Sequence, residues 1–219
     1  DSVASRGLGD VYKRQILVYK SNDIFTKTHR TIATGSLRRR AFWLHRYPED
    51  TLVDLRGNVQ LRLQKLQDND WDGAIFAMAG LDRSEIIADL ENRKLHYSTI
   101  DWMLAAPSQG ILGVVAREDF DFPSINNEEC ELYATVERQF LNVLEGGCTA
   151  PIGALVSPLS ADMYRFQGTI LSLDGKEKIE VVDQFNRSEY KEFGRKMAEK
   201  CLEQGAKQLI DTIKQNLRA

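Results

Sequence analysis

Cysteine is scarce in this chain of 219 residues, which contains only Cys130, Cys148 and Cys201. Their wide spacing fits neither a disulfide framework nor the paired CxxC arrangement of structural zinc sites. The three histidines are also far apart in the sequence, so we predict no metal site. Isolated thiols are typical of proteins in a reducing compartment, and we therefore predict a cytoplasmic location.

An excess of positive charge is also missing, because 29 lysines and arginines are balanced by 32 aspartates and glutamates. The net charge of −3 argues against a nucleic-acid-binding domain, which is usually strongly basic. No apolar run approaches the roughly 20 residues that a membrane-spanning helix needs. The hydrophobic content of 42% is instead that of a globular protein with a substantial core. We expect neither nucleic acid nor membrane among its partners.

A hydrophobic period is absent from the first fifteen residues, which read DSVASRGLGDVYKRQ. They resemble read-through sequence at the end of an incomplete translated assembly, and no initiator methionine precedes them. We therefore assign residues 1–15 to a non-native leader outside the fold. On this interpretation the chain is a fragment whose true N-terminal part is absent.

Short apolar runs alternate with helical patterns between residues 16 and 100. The patterns predict strands at 16–19, 31–34, 51–55, 74–78 and 95–100, with helices beginning near residues 37, 59 and 84. Asn58 can cap the second helix, and Gly80 is expected to turn the chain after the fourth strand. The alternation of strand and helix predicts an α/β fold with a mostly parallel sheet.

Three turns with glycine follow successive strands of this sheet. They are Thr34-Gly35-Ser36, Arg56-Gly57-Asn58 and Gly80-Leu81-Asp82-Arg83. The carboxyl ends of parallel strands lie at one edge, which is where ligands commonly bind in such sheets. We therefore expect the three turns to converge there.

Arginines are concentrated at this predicted edge: Arg38, Arg39, Arg40, Arg56, Arg62 and Arg83. Arginine in the first turn of a helix opposes the helix dipole, by a few tenths to about 1 kcal/mol, unless an anion is bound. Guanidinium groups bind carboxylates and phosphates through paired hydrogen bonds. The group predicts a ligand with several such anions, although solvated helix faces paired with acids would explain each arginine separately. Arg40 fits that second explanation best.

The pattern changes after residue 122 to a long helix at 128–144, three strands and two final helices. This order predicts a small α+β domain. The long helix leads into Gly146-Gly147-Cys148-Thr149-Ala150-Pro151, whose glycines and proline shape a short loop. Such a loop suits a reactive thiol, whereas a helix-capping glycine followed by an inert cysteine explains the same residues. Cys130 and Cys201 are expected to be packing residues within helices.

Five motifs occur in the order and spacing of a known enzyme family. They are Thr34-Gly35-Ser36-Leu37-Arg38-Arg39, Leu55-Arg56-Gly57-Asn58-Val59 with Arg62, Ala79-Gly80-Leu81 with Arg83, Gln109-Gly110, and Leu144-Glu145-Gly146-Gly147-Cys148 with Pro151-Ile152-Gly153. Together they resemble porphobilinogen deaminase, a family also called hydroxymethylbilane synthase. The resemblance covers the chain from about residue 16 to its C-terminal end and does not include residues 1–15.

The resemblance implies a transferase of haem and porphyrin biosynthesis. Members join four porphobilinogen molecules head to tail, with release of ammonia, to make the linear tetrapyrrole hydroxymethylbilane. It also implies a monomer with a dipyrromethane cofactor attached through a thioether to Cys148. Each pyrrole carries an acetate and a propionate, and the family positions that bind them match Arg38, Arg39, Arg56, Arg62 and Arg83. Neighbouring contact positions match Ser36, Gly57 and Gln109.

The family has three domains, two of which are similar to the lobes of periplasmic binding proteins. The resemblance therefore implies a periplasmic-binding-protein-like domain followed by a small α+β domain. We assign residues 31–100 to domain two and 122–219 to domain three. Residues 16–30 and 101–121, with a predicted strand at 111–115, are assigned to remnants of domain one.

Two departures from the family pattern are evident. The catalytic aspartate of the family lies in an H-S-x-K-D segment that this sequence does not contain, so we expect the chain alone to be inactive. Ala105-Ala106-Pro107-Ser108 also replaces the usual P-A-V-G before Gln109, which leaves the local backbone path open.

Two other functions remain as alternatives. A non-catalytic anion-binding module of the periplasmic-binding-protein type explains the arginines equally well but gives Cys148 no role. A hydrolase with a cysteine nucleophile would need a histidine beside Cys148, and the sequence does not indicate one.

Overall fold

The computed structural model describes residues 13–82, 86–113, 126–144 and 150–217. The strands in these ranges are β1 (Gln15–Tyr19), β2 (Thr31–Ala33), β3 (Thr51–Val53), β4 (Gly73–Ala77), β5 (His96–Ile100), β6 (Ile152–Pro158), β7 (Met163–Leu171) and β8 (Lys178–Asn186). The α-helices are α1 (Leu37–Arg46), α2 (Val59–Asp68), α3 (Met78–Asp82), α4 (Ile86–Asp89), α5 (Glu128–Val143), α6 (Tyr190–Glu203) and α7 (Ala206–Asn216). Short 3₁₀ helices occupy Asn22–Phe25 and Arg187–Glu189.

The first sheet contains five strands in the order β3-β2-β4-β1-β5. β2 runs parallel to both β3 and β4, so these three strands bring their carboxyl ends to the same edge. β1 lies between β4 and β5 and is antiparallel to both, which gives β4 and β5 the same direction. The prediction of a sheet with parallel strands and alternating helices is confirmed, while β1 reverses the direction at one position.

Helices cover both faces of this sheet. Successive residues of a strand point to opposite faces, so neighbouring residues of β1 enter different clusters. Ile16 packs in the cluster that contains Leu63 of α2, whereas Leu17 packs in the cluster that contains Phe42 of α1. Both helices are amphipathic because their apolar residues recur at helical spacing, as the sequence predicts. The sheet therefore fixes the orientation of α1, whose first turn lies next to the carboxyl edge of β2.

The second sheet is antiparallel, with the order β6-β7-β8. Helices α5, α6 and α7 contribute to one core with this sheet. Phe140 of α5 stacks edge-on against Phe166 of β7, with ring centroids 5.1 Å apart. A Cβ on Gly168 would lie 2.5 Å from the Phe140 ring, so the glycine lets this ring approach the strand backbone. The predicted α+β arrangement of the C-terminal half is confirmed.

The structure differs from our assignment at the N-terminal end. Residues 16–19, assigned to a remnant of domain one, pair with β4 and β5 inside the sheet that 31–100 forms. Gln15, assigned to the leader, begins β1, and the buried Lys13 places Nζ 2.7 Å from Glu137 Oε1. Strand pairing joins residues far apart in sequence, so the local pattern does not reveal which sheet a strand enters. Residues 1–12 lie outside the described residues, and their origin stays a prediction.

Two smaller predictions are corrected. Gly80 does not turn the chain directly, because β4 continues into helix α3, which contains this glycine. Residues 111–113 form no strand, and Leu112 is 72% exposed, so it lacks the partner strand that would cover it. The remainder of the predicted strand and the predicted domain boundary at residue 122 lie outside the described residues. None of the helices in the described ranges is both long and apolar enough to cross a membrane.

Candidate functional site

The loops after β2 and β3 meet at the carboxyl edge of the first sheet, as the sequence predicts. The N–H of Thr34 donates to the carbonyl of Val53 at 2.9 Å, which extends the pairing of the two strands. A Cβ on Gly35 would lie 2.4 Å from the carbonyl oxygen of Leu55. This close approach requires glycine. Helix α3 follows β4 at the same edge.

Ser36 caps the N-terminal end of α1. Its Oγ accepts a hydrogen bond from the N–H of Arg39 at 3.4 Å, and Thr34 Oγ accepts one from the N–H of Ser36 at 3.3 Å. The first turn of α1 contains no acidic residue. The positive end of the helix dipole is thus combined with arginines, an arrangement that favours a bound anion.

Arg38 is buried, with only 6% of its surface exposed. Its guanidinium donates to the carbonyl oxygen of Leu104 and, at 3.4 Å, to Oε1 of Gln109. Burial, with a smaller contribution from the charge of Arg39, lowers the pKa of Arg38 to about 9. The structure therefore brings together two positions that the resemblance assigns to the site, Arg38 and Gln109.

Arg39 is half-buried at the same edge. Its Nε donates to Gln15 Oε1 at 2.7 Å, and one terminal nitrogen donates to the carbonyl of Ile75 at 3.2 Å. Burial and the nearby charge of Arg62 lower the pKa of Arg39 to about 10. Arg38, Arg39 and Arg62 consequently form a group of like charges that destabilise one another.

Side chains of α2 hold the turn after β3. Arg62 Nε donates to the carbonyl of Gly57 at 2.7 Å, and Lys65 Nζ donates to the carbonyl of Arg56 at 3.0 Å. Gly57 has a φ of 119°, which disfavours any side chain. Arg56 itself is exposed. Lys65 was not among the predicted site residues, although its spacing of three residues from Arg62 places both on one helix face.

The arginines of this edge have no acidic partner in the part of the chain that the structure describes. Among the described residues, no carboxylate forms an ion pair with Arg38, Arg39, Arg56 or Arg62. Arg40 behaves differently, because it pairs with the exposed Asp54 at 3.1 Å, as expected for a solvated side chain. We call Arg38, Arg39, Arg56 and Arg62 the arginine edge. Its unbalanced charge is suited to an anionic ligand with several carboxylates or phosphates.

Two predicted site residues, Arg83 and Cys148, lie outside the described residues. The structure does describe both ends of the loop that contains Cys148. Leu144 at the end of α5 is 2% exposed, and Ala150 before β6 is 8% exposed. Both ends of the loop that contains Cys148 are therefore anchored in the hydrophobic core of the C-terminal half.

Comparison with protein families agrees with this geometry. A family model described as "Porphobilinogen deaminase, dipyromethane cofactor binding domain" matches residues 9–139. A second model, "Porphobilinogen deaminase, C-terminal domain", matches residues 132–203. The chain belongs to the porphobilinogen deaminase family. The first match begins at residue 9, so the similarity extends into the segment that we assigned to a leader.

Curated relatives carry the same family name. The chain is 36% identical to the porphobilinogen deaminase of Campylobacter concisus (strain 13826) over 183 residues, which are 82% of this chain and 58% of the relative. It is 36% identical to that of Staphylococcus aureus (strain bovine RF122 / ET3-1) over 187 residues, 83% of this chain and 59% of the relative. The match to the enzyme of a Nitratiruptor species is 32% over 214 residues, 93% of this chain and 67% of the relative. The chain thus spans somewhat over half the length of the first two.

The turn before Gln109 accommodates the departure from the porphobilinogen deaminase pattern. Ser108 occupies the position where the family usually has glycine, and its φ is 61°, in the left-handed region that favours glycine. The N–H of Ser108 donates to Oε2 of the buried Glu137 at 2.7 Å. Its Oγ is buried without a hydrogen-bond partner among the described residues. The glycine-like backbone path is therefore retained, at a cost in strain.

A dipyrromethane cofactor fits the arginine edge chemically. The acetates and propionates of its two pyrroles would supply the carboxylates that Arg38 and Arg39 lack among the described residues. The matched family domain is the one that binds this cofactor. Within the described ranges, no group of three histidine, cysteine, aspartate or glutamate side chains is arranged to hold a metal ion.

Proposed function

We propose that the protein containing this chain is a hydroxymethylbilane synthase. It condenses four porphobilinogen molecules into hydroxymethylbilane for tetrapyrrole biosynthesis. Each coupling forms a carbon–carbon bond between the aminomethyl carbon of one porphobilinogen and the free α-carbon of the pyrrole before it. The carbon–nitrogen bond breaks, and ammonia leaves while the α-carbon loses its proton. Water supplies the hydroxyl group when the linear product is released.

The observation that carries this proposal is the arginine edge without acidic partners. Buried cations of like charge are costly unless an anion compensates them. A substrate and a product with an acetate and a propionate on every pyrrole provide that compensation. Guanidinium groups recognise such carboxylates through two parallel hydrogen bonds.

The site residues then have distinct roles. Arg38, Arg39, Arg56, Arg62 and Arg83 bind carboxylates of the cofactor and substrate. Ser36 and Gly57 are contact positions at the loops after β2 and β3, and Gln109 orients the guanidinium of Arg38. Because Nε of Arg62 is engaged by the carbonyl of Gly57, its terminal nitrogens remain for the ligand.

Cys148 is the proposed attachment point of the dipyrromethane cofactor. The bound cofactor supplies a covalently retained primer to which porphobilinogen is added. Gly153, five residues after Cys148, packs against Leu104, and Leu104 accepts the hydrogen bond from Arg38. These contacts join β6, which follows Cys148 in the sequence, to Arg38 of the arginine edge.

Several broader features belong to the same proposal. We propose that the first sheet and its helices form a lobe of the periplasmic-binding-protein type, that 122–219 form domain three, and that the protein acts as a cytoplasmic monomer. The 219-residue chain alone is expected to be inactive because its sequence lacks the H-S-x-K-D segment. The non-catalytic alternative is not favoured, because the chain matches both the cofactor-binding and the C-terminal family domains.

Intact mass spectrometry of the full-length gene product tests the tether. The wild-type protein should carry the additional mass of a dipyrromethane and give colour with Ehrlich reagent, and Cys148→Ser should lose both. Cys130→Ser and Cys201→Ala serve as matched controls and should retain the adduct. Cys201 is an apt control because burial raises the pKa of its thiol to about 12, which keeps it protonated and unreactive.

An active full-length protein with an unmodified Cys148 thiol would refute the attachment. Formation of hydroxymethylbilane by the purified 219-residue chain would show that the expectation of inactivity is wrong.

A further inference from the structure

The last turn of α1 contacts the turn between β7 and β8. Nδ1 of His45 donates to the carbonyl oxygen of Gly175 at 2.7 Å. A Cβ on Gly175 would lie 2.5 Å from the backbone nitrogen of His45 and 2.7 Å from the carbonyl oxygen of Ala41. Both neighbours are backbone atoms of a helix, so neither can shift cheaply. Gly175 also has a φ of 73°. Only glycine allows the turn and the helix to meet this closely.

A second contact joins the same two parts of the molecule nearer the arginine edge. A Cβ on Gly153 of β6 would lie 2.7 Å from the Leu104 side chain and 3.0 Å from the Phe42 ring of α1. The N–H of Ala154 donates to the carbonyl of Ala105 at 3.1 Å. Leu171, the last residue of β7, is buried in the same cluster as Phe42. The second sheet is therefore packed along α1 and not only at its end.

Helix α1 connects this contact to the arginine edge. Seven residues separate Arg38 from His45, which corresponds to about 10 Å along a helix axis. A helix is stiff over that length, so a tilt or shift at its last turn also moves its first turn. The proposed tether, Cys148, lies in the other part of the molecule, between α5 and β6.

We propose that the contact between Gly175 and His45, called here the seat, positions the arginine edge relative to the second sheet. This inference rests on the proposed function. A cofactor attached to one part and bound by the arginines of the other encounters them at an effective concentration set by the spacing of the two parts. Small misplacements of binding groups lower the efficiency of such an arrangement. Gly175 and His45 are thus positioning residues that touch no ligand themselves.

A pair of glycine variants tests the seat directly. Gly175→Ala introduces both left-handed strain and a clash with α1. Gly205→Ala is the matched control, because Gly205 has a φ of 95° but nothing within 4 Å of the added Cβ. Spin labels at Arg40→Cys on α1 and Glu199→Cys on α6, in a chain without its native cysteines, report the distance between the two parts. The distribution of distances between the two labels should stay narrow in Gly205→Ala. In Gly175→Ala it should broaden or shift by about 3 Å or more.

A pair of histidine variants connects the seat to ligand binding. In the full-length gene product, His45→Ala should raise the KM for porphobilinogen about 3- to 10-fold with a smaller change in kcat. His45→Asn keeps an N–H donor near the position of Nδ1, so it should restore KM to within about twofold of the wild type. A role in stability alone would lower Tm in His45→Ala without moving KM.

The outcomes separate this inference from the proposed function. Equal distance distributions in Gly175→Ala and Gly205→Ala would overturn the seat. A broadened distribution with an unchanged KM in His45→Ala would overturn its positioning role. If the wild-type protein forms no hydroxymethylbilane, the proposed function fails, and the label distances alone then decide whether the seat fixes α1.

Discussion

The arginines near the two ends of α1 differ in whether a described carboxylate balances their charge. At the N-terminal end, Arg38 and Arg39 are withdrawn from solvent without an acidic partner among the described residues. At the C-terminal end, Arg30 is 8% exposed and forms an ion pair with the buried Asp50 at 2.8 Å. We call the site of Arg30 and Asp50 the balanced end of α1, and the site of Arg38 and Arg39 its unbalanced end.

The balanced end engages its carboxylate in several internal hydrogen bonds. Asp50 accepts hydrogen bonds from the backbone N–H of Arg30 at 2.9 Å, from its Nε at 2.8 Å and from Nε1 of Trp43 at 2.8 Å. The guanidinium of Arg30 also stacks over the Tyr47 ring at 4.1 Å. The charge of Arg30 is compensated within the protein, so we assign this network to the stability of the fold.

The unbalanced end retains positive charge that an anionic ligand could balance. Its guanidinium groups donate to neutral oxygens, those of Leu104, Gln109, Gln15 and Ile75. No carboxylate among the described residues compensates their charge. Such an arrangement lowers stability and is tolerated where function requires it. The comparison therefore separates an arginine with an internal carboxylate partner from arginines without one among the described residues, as the proposed function requires.

The largest change in stability is expected when the carboxylate of the balanced end is removed. Asp50→Ala leaves the Arg30 guanidinium and the Trp43 N–H without their acceptor in a buried site, and should lower the free energy of unfolding by about 3–5 kcal/mol. Urea unfolding measures this. Asp54→Ala is the matched control, since Asp54 is exposed and pairs only with Arg40. Similar losses in the two variants would show that burial of the network is unimportant.

Removing a charge from the unbalanced end should raise the free energy of unfolding instead of lowering it. Arg38→Met keeps much of the side-chain volume but eliminates a desolvated cation and its repulsion with Arg39. Without an anion present, we expect the free energy of unfolding to rise by about 1 kcal/mol, after allowing for the lost hydrogen bond to Leu104. A loss of more than about 1 kcal/mol in the same urea experiment would identify Arg38 as a structural residue.

Strain near the unbalanced end can be relieved in a similar way. Ser108→Gly removes a left-handed serine and a buried hydroxyl without a described partner. The free energy of unfolding should rise by about 1 kcal/mol, because glycine adopts this φ without a steric cost. Gly110→Ser, at a φ of 83°, provides the reverse test and should be destabilising. A Ser108→Gly variant less stable than the wild type would contradict the assignment of strain.

The smallest effect is expected at Arg40. Its ion pair with Asp54 is exposed, and such pairs contribute little in water. Arg40→Ala should change the free energy of unfolding by less than about 0.5 kcal/mol and leave anion binding unaltered. A marked loss of anion binding would place Arg40 within the arginine edge.

Much of the unbalanced end could be predicted from the sequence. Helix α1, its cap at Ser36, the cap of α2 at Asn58 and the parallel strands that align the loops all follow from local patterns. The family motifs lie in these same local segments. Cap and loop residues interact with neighbours only a few positions away, which is why their sequence signals are clear.

The balanced end and the contacts between the two sheets could not be predicted in this way. Arg30 and Asp50 are 20 residues apart, and His45 and Gly175 are 130 residues apart. Such pairs are brought together by the tertiary fold and leave no periodic signal. The antiparallel insertion of β1 escaped prediction for the same reason, because strand order depends on long-range pairing.

Carboxylate binding at the arginine edge is the most direct test of the central claim. The 219-residue chain is unfolded with urea at constant ionic strength, with and without citrate, which serves as a small tricarboxylate probe. At about ten times its Kd, citrate should stabilise the wild type and Arg40→Ala by about 1.4 kcal/mol. Arg38→Met should lose most of that gain. Equal stabilisation of Arg38→Met and Arg40→Ala, or none in the wild type, would contradict the account.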